Sequence, residues 1–61
     1  MKTIIEVLME RDGLTKEEAD RIFNEGYDEF HRRLIEEPQE NHYDFCQEWF
    51  GLEPDYLMEL V

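Results

Sequence analysis

The stretch TKEEADRIFNEGYDEFHRRLIEEP, residues 15–38, decides the fold of this 61-residue chain. It opens with a capping box, in which the Thr15 hydroxyl can accept a hydrogen bond from the Glu18 amide while the Glu18 carboxylate reaches back. Apolar and small residues then recur at steps of three and four, which is the spacing of one face of an amphipathic helix. These residues are Ala19, Ile22, Phe23, Gly26, Tyr27, Phe30 and Leu34. Pro38 ends the pattern because the residue before a proline avoids the helical region. A long helix is therefore predicted over residues 16–36.

A shorter helix is predicted before this stretch. Thr3 is a suitable N-cap. Asp12-Gly13 is a stop signal, because glycine readily adopts the left-handed conformation that ends many helices. The helix should therefore run from residue 4 to about Arg11. Its inner face is predicted to contain Ile4, Ile5 and Leu8, with Met9 or Met1 at the edge.

Two further helical segments are predicted after the long helix. Asn41 can cap a third helix over about residues 42–50, and Gly51 closes it. A proline at the first position favours a last short helix over about residues 54–60. No stretch has the alternating pattern of a strand. The sequence thus predicts an all-α fold, a small bundle of three helices plus a short C-terminal helical turn, in a single domain over residues 1–61.

Charge is distributed unevenly along the chain. Seventeen acidic residues stand against six basic ones, for a formal net charge of -11. Residues 1–33 hold nine acids and all six bases, whereas residues 34–61 hold eight acids and no lysine or arginine. Such a surface repels nucleic acid and anionic membranes and attracts basic protein surfaces. We therefore expect a basic protein as the partner, with neither direct nucleic-acid binding nor membrane binding.

Size and composition narrow the function classes. A core in a chain this short rarely supplies more than about 3–5 kcal/mol, and Cys46 is the single cysteine, so no disulfide can reinforce it. One thiol without a disulfide framework, and no signal-peptide pattern, predict a cytoplasmic protein. The sequence has no serine, no nucleophile elbow and no phosphate-cradling glycine loop. We therefore expect no enzymatic activity and no cofactor.

Two segments carry a resemblance to a known family. Residues 10–19 (ERDGLTKEEA) and 51–60 (GLEPDYLMEL) resemble short, acidic, mostly uncharacterised proteins of bacteriophages and prophages of Gram-positive bacteria. The resemblance extends over most of the chain in order and length, but the family has no established active site, so no functional residue carries over. It implies a mobile element acting in the cytoplasm of a bacterial host cell. Small acidic phage proteins are frequently inhibitors of host machinery, including anti-CRISPR proteins that compete with nucleic acid.

A partner-binding face is predicted where the long helix ends and the third helix begins. Five acids form a nearly continuous acidic tract there: Glu36, Glu37, Glu40, Asp44 and Glu48. Duplex DNA carries one negative charge per about 1.7 Å of its axis, and carboxylates along helical edges can approximate such a row of phosphates. Tyr43 and Trp49, beside the tract, are the aromatic anchors that we expect at an interface. The alternative interpretation is a solvated face that only maintains solubility.

Other polar groups have a structural interpretation beside the functional one. His42 and Cys46 are four residues apart on the predicted third helix, as in half a zinc site, but structural zinc needs four ligands. A core cysteine and a first-turn histidine are the simpler interpretation. Arg32 and Arg33, next to His31, are expected to balance the negative end of the long helix and to pair with neighbouring acids.

Two apolar features also leave alternatives open. The third helix has more aromatic residues than one core face can hold, so some should emerge as an interface unless the terminal turn covers them. Gly26 lies within the apolar stripe of the long helix at a cost of roughly 1 kcal/mol relative to alanine. It predicts a close crossing with the first helix or with a second subunit.

Two function classes follow from these features. The first is a protein-binding inhibitor of phage origin that presents its acidic face to a basic, nucleic-acid-binding host protein and competes with the nucleic acid. Such binding should weaken as salt rises. The second is a homo-oligomeric accessory or assembly protein, for example a homodimer, whose aromatic face is buried against itself and whose charge serves solubility. A small regulatory module that binds a basic peptide lies close to the first class.

Overall fold

The computed structural model describes residues 2–61, which form helices and no strand and confirm the all-α class. Helix α1 spans Ile4–Asp12, helix α2 spans Lys16–Glu36 and helix α3 spans Phe45–Phe50; a 3₁₀ helix follows over Pro54–Glu59. The predicted inner-face position Met1 lies outside the described residues. None of the helices within residues 2–61 is both long and apolar enough to cross a bilayer.

The start and end of α2 are those predicted from its sequence. Thr15 Oγ1 accepts a hydrogen bond from the Glu18 amide at 3.2 Å, and the Glu18 carboxylate accepts one from the Thr15 amide at 3.0 Å. After Glu36 the chain leaves the helix, with the Glu37 amide donating back to the Arg33 carbonyl at 2.7 Å. Local capping and Pro38 therefore determine this element.

Helix α1 is capped from two directions. Thr3 and Glu6 form a second capping box, which the sequence analysis did not predict. The Glu59 carboxylate also accepts the Ile4 amide hydrogen at 3.1 and 3.2 Å, from 55 residues away in sequence. A carboxylate at a helix N-terminus complements both the free amide and the helix dipole. Gly13 ends α1 in the predicted left-handed conformation, with φ of 66°.

Helix α3 is shorter than predicted. It begins at Phe45, not near His42, and Asn41 does not cap it. The Asn41 side-chain oxygen instead accepts the Tyr43 amide hydrogen at 2.8 Å, a local turn that competes with helix formation. The chain therefore enters α3 through turns at residues 41–44.

An arginine of α1 completes the other end of α3. Arg11 Nη2 donates to the Phe50 carbonyl at 2.8 Å, and Nη1 donates to the Gly51 carbonyl at 3.3 Å. These carbonyls have no intrahelical partner at a helix C-terminus, and a cation is favoured there. Gly51 closes the helix with φ of 70°.

The core is small and is formed by residues of the three α-helices together with Leu60, which follows the 3₁₀ helix. The buried apolar residues are Ile4, Leu8, Ala19, Phe30, Phe45, Cys46, Phe50 and Leu60. Gly26 marks a close crossing, but with α3 and not with α1: a Cβ there would overlap the tip of the Phe50 ring and lie 2.9 Å from the Trp49 indole.

The inner stripe of α2 is covered only in part. Ala19, Gly26 and Phe30 are buried, whereas Tyr27 and Leu34 remain 40% and 38% exposed. Helix α1 has nine residues against 21 in α2, so it cannot cover the whole length of the longer helix. Met9, expected at the inner edge of α1, is also on the surface.

Candidate partner-binding site

Part of the acidic tract lines one open polar cleft between the end of α2 and α3. The cleft has a volume of about 350 Å³. Its lining residues are Arg32, Arg33, Glu37, Glu40, Asn41, His42 and Glu48. Three tract carboxylates, those of Glu37, Glu40 and Glu48, thus share one recess because the chain turns back between α2 and α3. We call this feature the polar cleft.

The other two acids of the tract have different surroundings. Glu36 Oε2 accepts a hydrogen bond from Arg32 Nη1 at 3.0 Å, so an arginine of the same helix balances its charge. Asp44 is exposed immediately before α3, and its carbonyl accepts the Glu48 amide hydrogen at 3.0 Å. Asp44 is not among the lining residues of the cleft. The five acids therefore form no uniform row.

Two arginines bring positive charge into the cleft. Arg32 donates to Glu29 at 2.9 and 2.6 Å, as well as to Glu36, which confirms the predicted pairing with neighbouring acids. Arg33 Nε donates to Glu29 at 2.7 Å, and Arg33 Nη1 lies 3.9 Å from a Glu48 oxygen. Arg33 therefore links α2 to α3, a role that its position in the sequence did not indicate.

The two predicted aromatic anchors, Trp49 and Tyr43, are both exposed. The Trp49 indole stacks on Phe45 with centroids 5.5 Å apart, and the Arg33 guanidinium carbon lies 5.2 Å from the Phe45 centroid and 6.0 Å from that of Trp49. Trp49 is still 40% exposed, whereas Tyr43 is 59% exposed. Phe45 and Phe50 fill the core, so Trp49 and Tyr43 are the aromatic surface of this region.

His42 and Cys46 are not on one helical face, contrary to the predicted spacing. His42 precedes α3, and its Nε2 contacts the Glu37 carbonyl at 2.8 Å. Cys46 is fully buried, and burial raises the pKa of its thiol to about 11. Among residues 2–61, no group of three or more histidines, cysteines and carboxylates is arranged to hold a metal ion. His42 and Cys46 thus have different surroundings, a turn for His42 and the core for Cys46.

Glu29 is the carboxylate most affected by its neighbours. Hydrogen bonds from Arg32 and then from Arg33 lower its pKa from 4.5 to about 2. An acid with a lower pKa in the folded state stabilises that state above its unfolded pKa, and the contribution is lost as pH falls through the folded pKa. The ion pairs of Glu29 with Arg32 and Arg33 should thus stabilise the folded state at neutral pH, and this stabilisation should be lost in acid.

A comparison of Glu29→Gln with the wild type tests this expectation. The thermal midpoint of the variant should be lower at neutral pH, and the difference should shrink as pH falls from about 4.5 to about 2. Glu25→Gln, an exposed acid one turn earlier on α2, is the matched control and should show no such pH-dependent difference. A Glu29→Gln deficit of equal size at pH 2 and pH 7 would contradict the assignment.

No family of proteins, curated protein or solved structure compared with this chain matches it.

Proposed function

We propose that this chain is a protein-binding inhibitor that occupies a basic, nucleic-acid-binding surface of a host protein and excludes nucleic acid from it. The observation that carries the proposal is the polar cleft, which brings Glu37, Glu40 and Glu48 into one recess. Tyr43 and Trp49, which neighbour the acidic tract in sequence, are exposed aromatic residues. The setting comes from the resemblance of two segments to short acidic phage proteins, a class that includes anti-CRISPR inhibitors. Host cytoplasm is the corresponding compartment.

The chemistry of the cleft suits a lysine or arginine of the partner. Carboxylates accept charge-assisted hydrogen bonds from such side chains, and these are stronger than neutral ones. Glu37 and Glu40 follow α2 on an exposed segment. Arg33 approaches Glu48 at 3.9 Å, which restrains that carboxylate without forming a close pair. Tyr43 and Trp49 would then supply the apolar contact area that holds the complex after charge has guided the approach.

The net charge also supports binding to a basic surface, because electrostatic attraction acts over longer distances than direct contacts. With no lysine or arginine in residues 34–61, the half of the chain that contains α3 attracts a basic surface from a distance. Attraction of this kind is screened over about 8 Å at physiological salt. The association should therefore weaken steeply as salt rises.

The test combines affinity capture with a matched pair of variants. The tagged chain is incubated with bacterial lysate, washed across a salt series and analysed by mass spectrometry. We expect a nucleic-acid-binding protein that is released by salt and displaced by DNA or RNA. The variant with Glu37, Glu40 and Glu48 changed to Gln should bind this protein roughly three- to 150-fold more weakly, since exposed ion pairs contribute roughly 0.2–1 kcal/mol each.

A control variant removes the same charge elsewhere. Glu17, Glu25 and Glu53 are exposed acids outside the polar cleft, and their change to Gln should reduce binding much less. Equal losses in the two triple variants would mean that only net charge matters. Capture of the chain's own copies alone, at every salt concentration, would refute the inhibitor and favour the accessory protein.

A further inference from the structure

Four charged side chains of α2 form a group beside the polar cleft. Arg32 donates to Glu29 at 2.9 and 2.6 Å and to Glu36 at 3.0 Å. Arg33 Nε donates to the same Glu29 carboxylate at 2.7 Å. Two guanidinium groups and two carboxylates therefore balance one another within this helix.

The carboxylates that line the cleft, those of Glu37, Glu40 and Glu48, lie outside this group. They are the ones that a basic side chain entering the cleft would meet. Arg33 Nη1 lies 3.9 Å from Glu48 Oε2, which is beyond hydrogen-bond distance but close enough for attraction. One guanidinium thus has two carboxylate neighbours, Glu29 in a hydrogen bond and Glu48 at longer range.

Arg33 is the more firmly held member of its pair with Glu48. Besides the hydrogen bond to Glu29, its guanidinium carbon lies 5.2 Å from the Phe45 centroid and 6.0 Å from that of Trp49. The Arg33 side chain is 29% exposed, whereas the Glu48 side chain is 70% exposed and has few neighbours to restrict its rotamers. An external cation can therefore draw the Glu48 carboxylate away while Arg33 stays in place.

We propose that Arg33 is an internal competitor for Glu48 and that it limits the affinity of the polar cleft for basic partners. A lysine or arginine of a partner at hydrogen-bond distance attracts the carboxylate more strongly than a guanidinium at 3.9 Å does. The partner gains only the difference, because the attraction between Arg33 and Glu48 is lost. A basic surface must therefore make further contacts to bind, which disfavours weak partners.

Binding of a fluorescein-labelled hexalysine peptide, measured by fluorescence anisotropy at low salt, tests the proposal. Arg33→Gln should bind hexalysine roughly 1.4- to fivefold more tightly than Arg21→Gln, which corresponds to one exposed ion pair. Arg21 is an exposed arginine of α2 outside the cleft, so the two variants have the same net charge. When Glu48→Gln is added to each, the two should bind alike, because the carboxylate for which Arg33 competes is gone.

A second pair of variants leaves Arg33 in place and reverses the expected effect. Glu29→Gln removes the carboxylate that holds Arg33 Nε, so the guanidinium is free to pair with Glu48. We expect Glu29→Gln to bind hexalysine more weakly than Glu25→Gln, an exposed acid of α2 outside the cleft whose change removes the same charge. This pair tests the competition if circular dichroism shows that Arg33→Gln does not fold.

Equal binding by folded Arg33→Gln and Arg21→Gln would overturn the proposal. So would a difference that persists without Glu48, a Glu29→Gln that binds as tightly as Glu25→Gln, or hexalysine that binds none of the variants. The inference rests on the proposed function only in that the cleft receives a basic side chain. If the expected hexalysine pattern appears but no nucleic-acid-binding protein is captured, the inhibitor is refuted and the competition stands. A captured host protein without the hexalysine pattern would mean the reverse.

Discussion

Leu60→Ala is expected to lower the free energy of unfolding by about 2–5 kcal/mol, the usual cost of removing a buried leucine side chain. Leu60 is fully buried, although it lies beyond the last helix. Its backbone carbonyl also contacts His31, so the residue connects the end of the described chain to the C-terminal half of α2. Because a core this small rarely supplies more than about 3–5 kcal/mol, the variant should lose much of its stability at 25 °C.

The neighbouring Met58 supplies the control for this result. Its side chain is 79% exposed, so Met58→Ala should change the free energy of unfolding by no more than about 0.5 kcal/mol. Urea denaturation followed by circular dichroism measures both variants under the same conditions. Similar denaturation midpoints for Leu60→Ala and Met58→Ala would show that Leu60 is not part of the core.

Gly26→Ala is expected to destabilise the protein by up to about 2 kcal/mol, the difference between an overpacking cost of about 1–3 kcal/mol and a gain of roughly 1 kcal/mol in helix propensity. The added methyl group would overlap the Phe50 ring and lie 2.9 Å from Trp49. Phe50 is buried and meets Phe45 edge-on at 6.3 Å, so its ring has little room to move away. The steric cost should therefore exceed the gain in helix propensity.

Glu25→Ala separates the two contributions to this result. Glu25 is the exposed neighbour of Gly26 on the same helix, so its change to alanine tests propensity without the crossing. It should leave the denaturation midpoint nearly unchanged, while Gly26→Ala lowers that midpoint and alters the fluorescence of Trp49. A more stable Gly26→Ala would mean that the two rings relax easily and that the crossing does not require glycine.

Short-range signals in the sequence predicted the helices well. Thr15 with Glu18 located the start of α2, and Gly13 and Gly51 located two helix ends, because capping depends on residues a few positions apart. The start of α3 was predicted wrongly because the capping signal at Asn41 is also local and is ambiguous. Its side chain can serve a helix or a turn, and here it accepts the Tyr43 amide hydrogen in a turn.

The pattern of residues along the sequence could not predict the long-range contacts of the candidate site. The tract was predicted as a nearly continuous run of acids. The structure adds that Arg32 pairs with Glu36 and that Arg33 reaches across to Glu48 and the Phe45–Trp49 stack. Periodicity places a side chain on a face of its own helix; it does not indicate which other element meets that face. For that reason the close crossing at Gly26 was expected with α1 or with a second subunit, whereas the structure places it against α3.

The contact between Glu59 and the first amide of α1 has a consequence for the order of folding. Contacts between α1 and α2 join residues close in sequence, so this helical hairpin can form quickly, whereas the Glu59 contact must first close a loop of 55 residues. We therefore expect the hairpin to form early and the segment from α3 onward to dock on it late. The same segment should detach first under mild destabilisation, and the Ile4 amide would then lose its carboxylate acceptor before α2 unwinds.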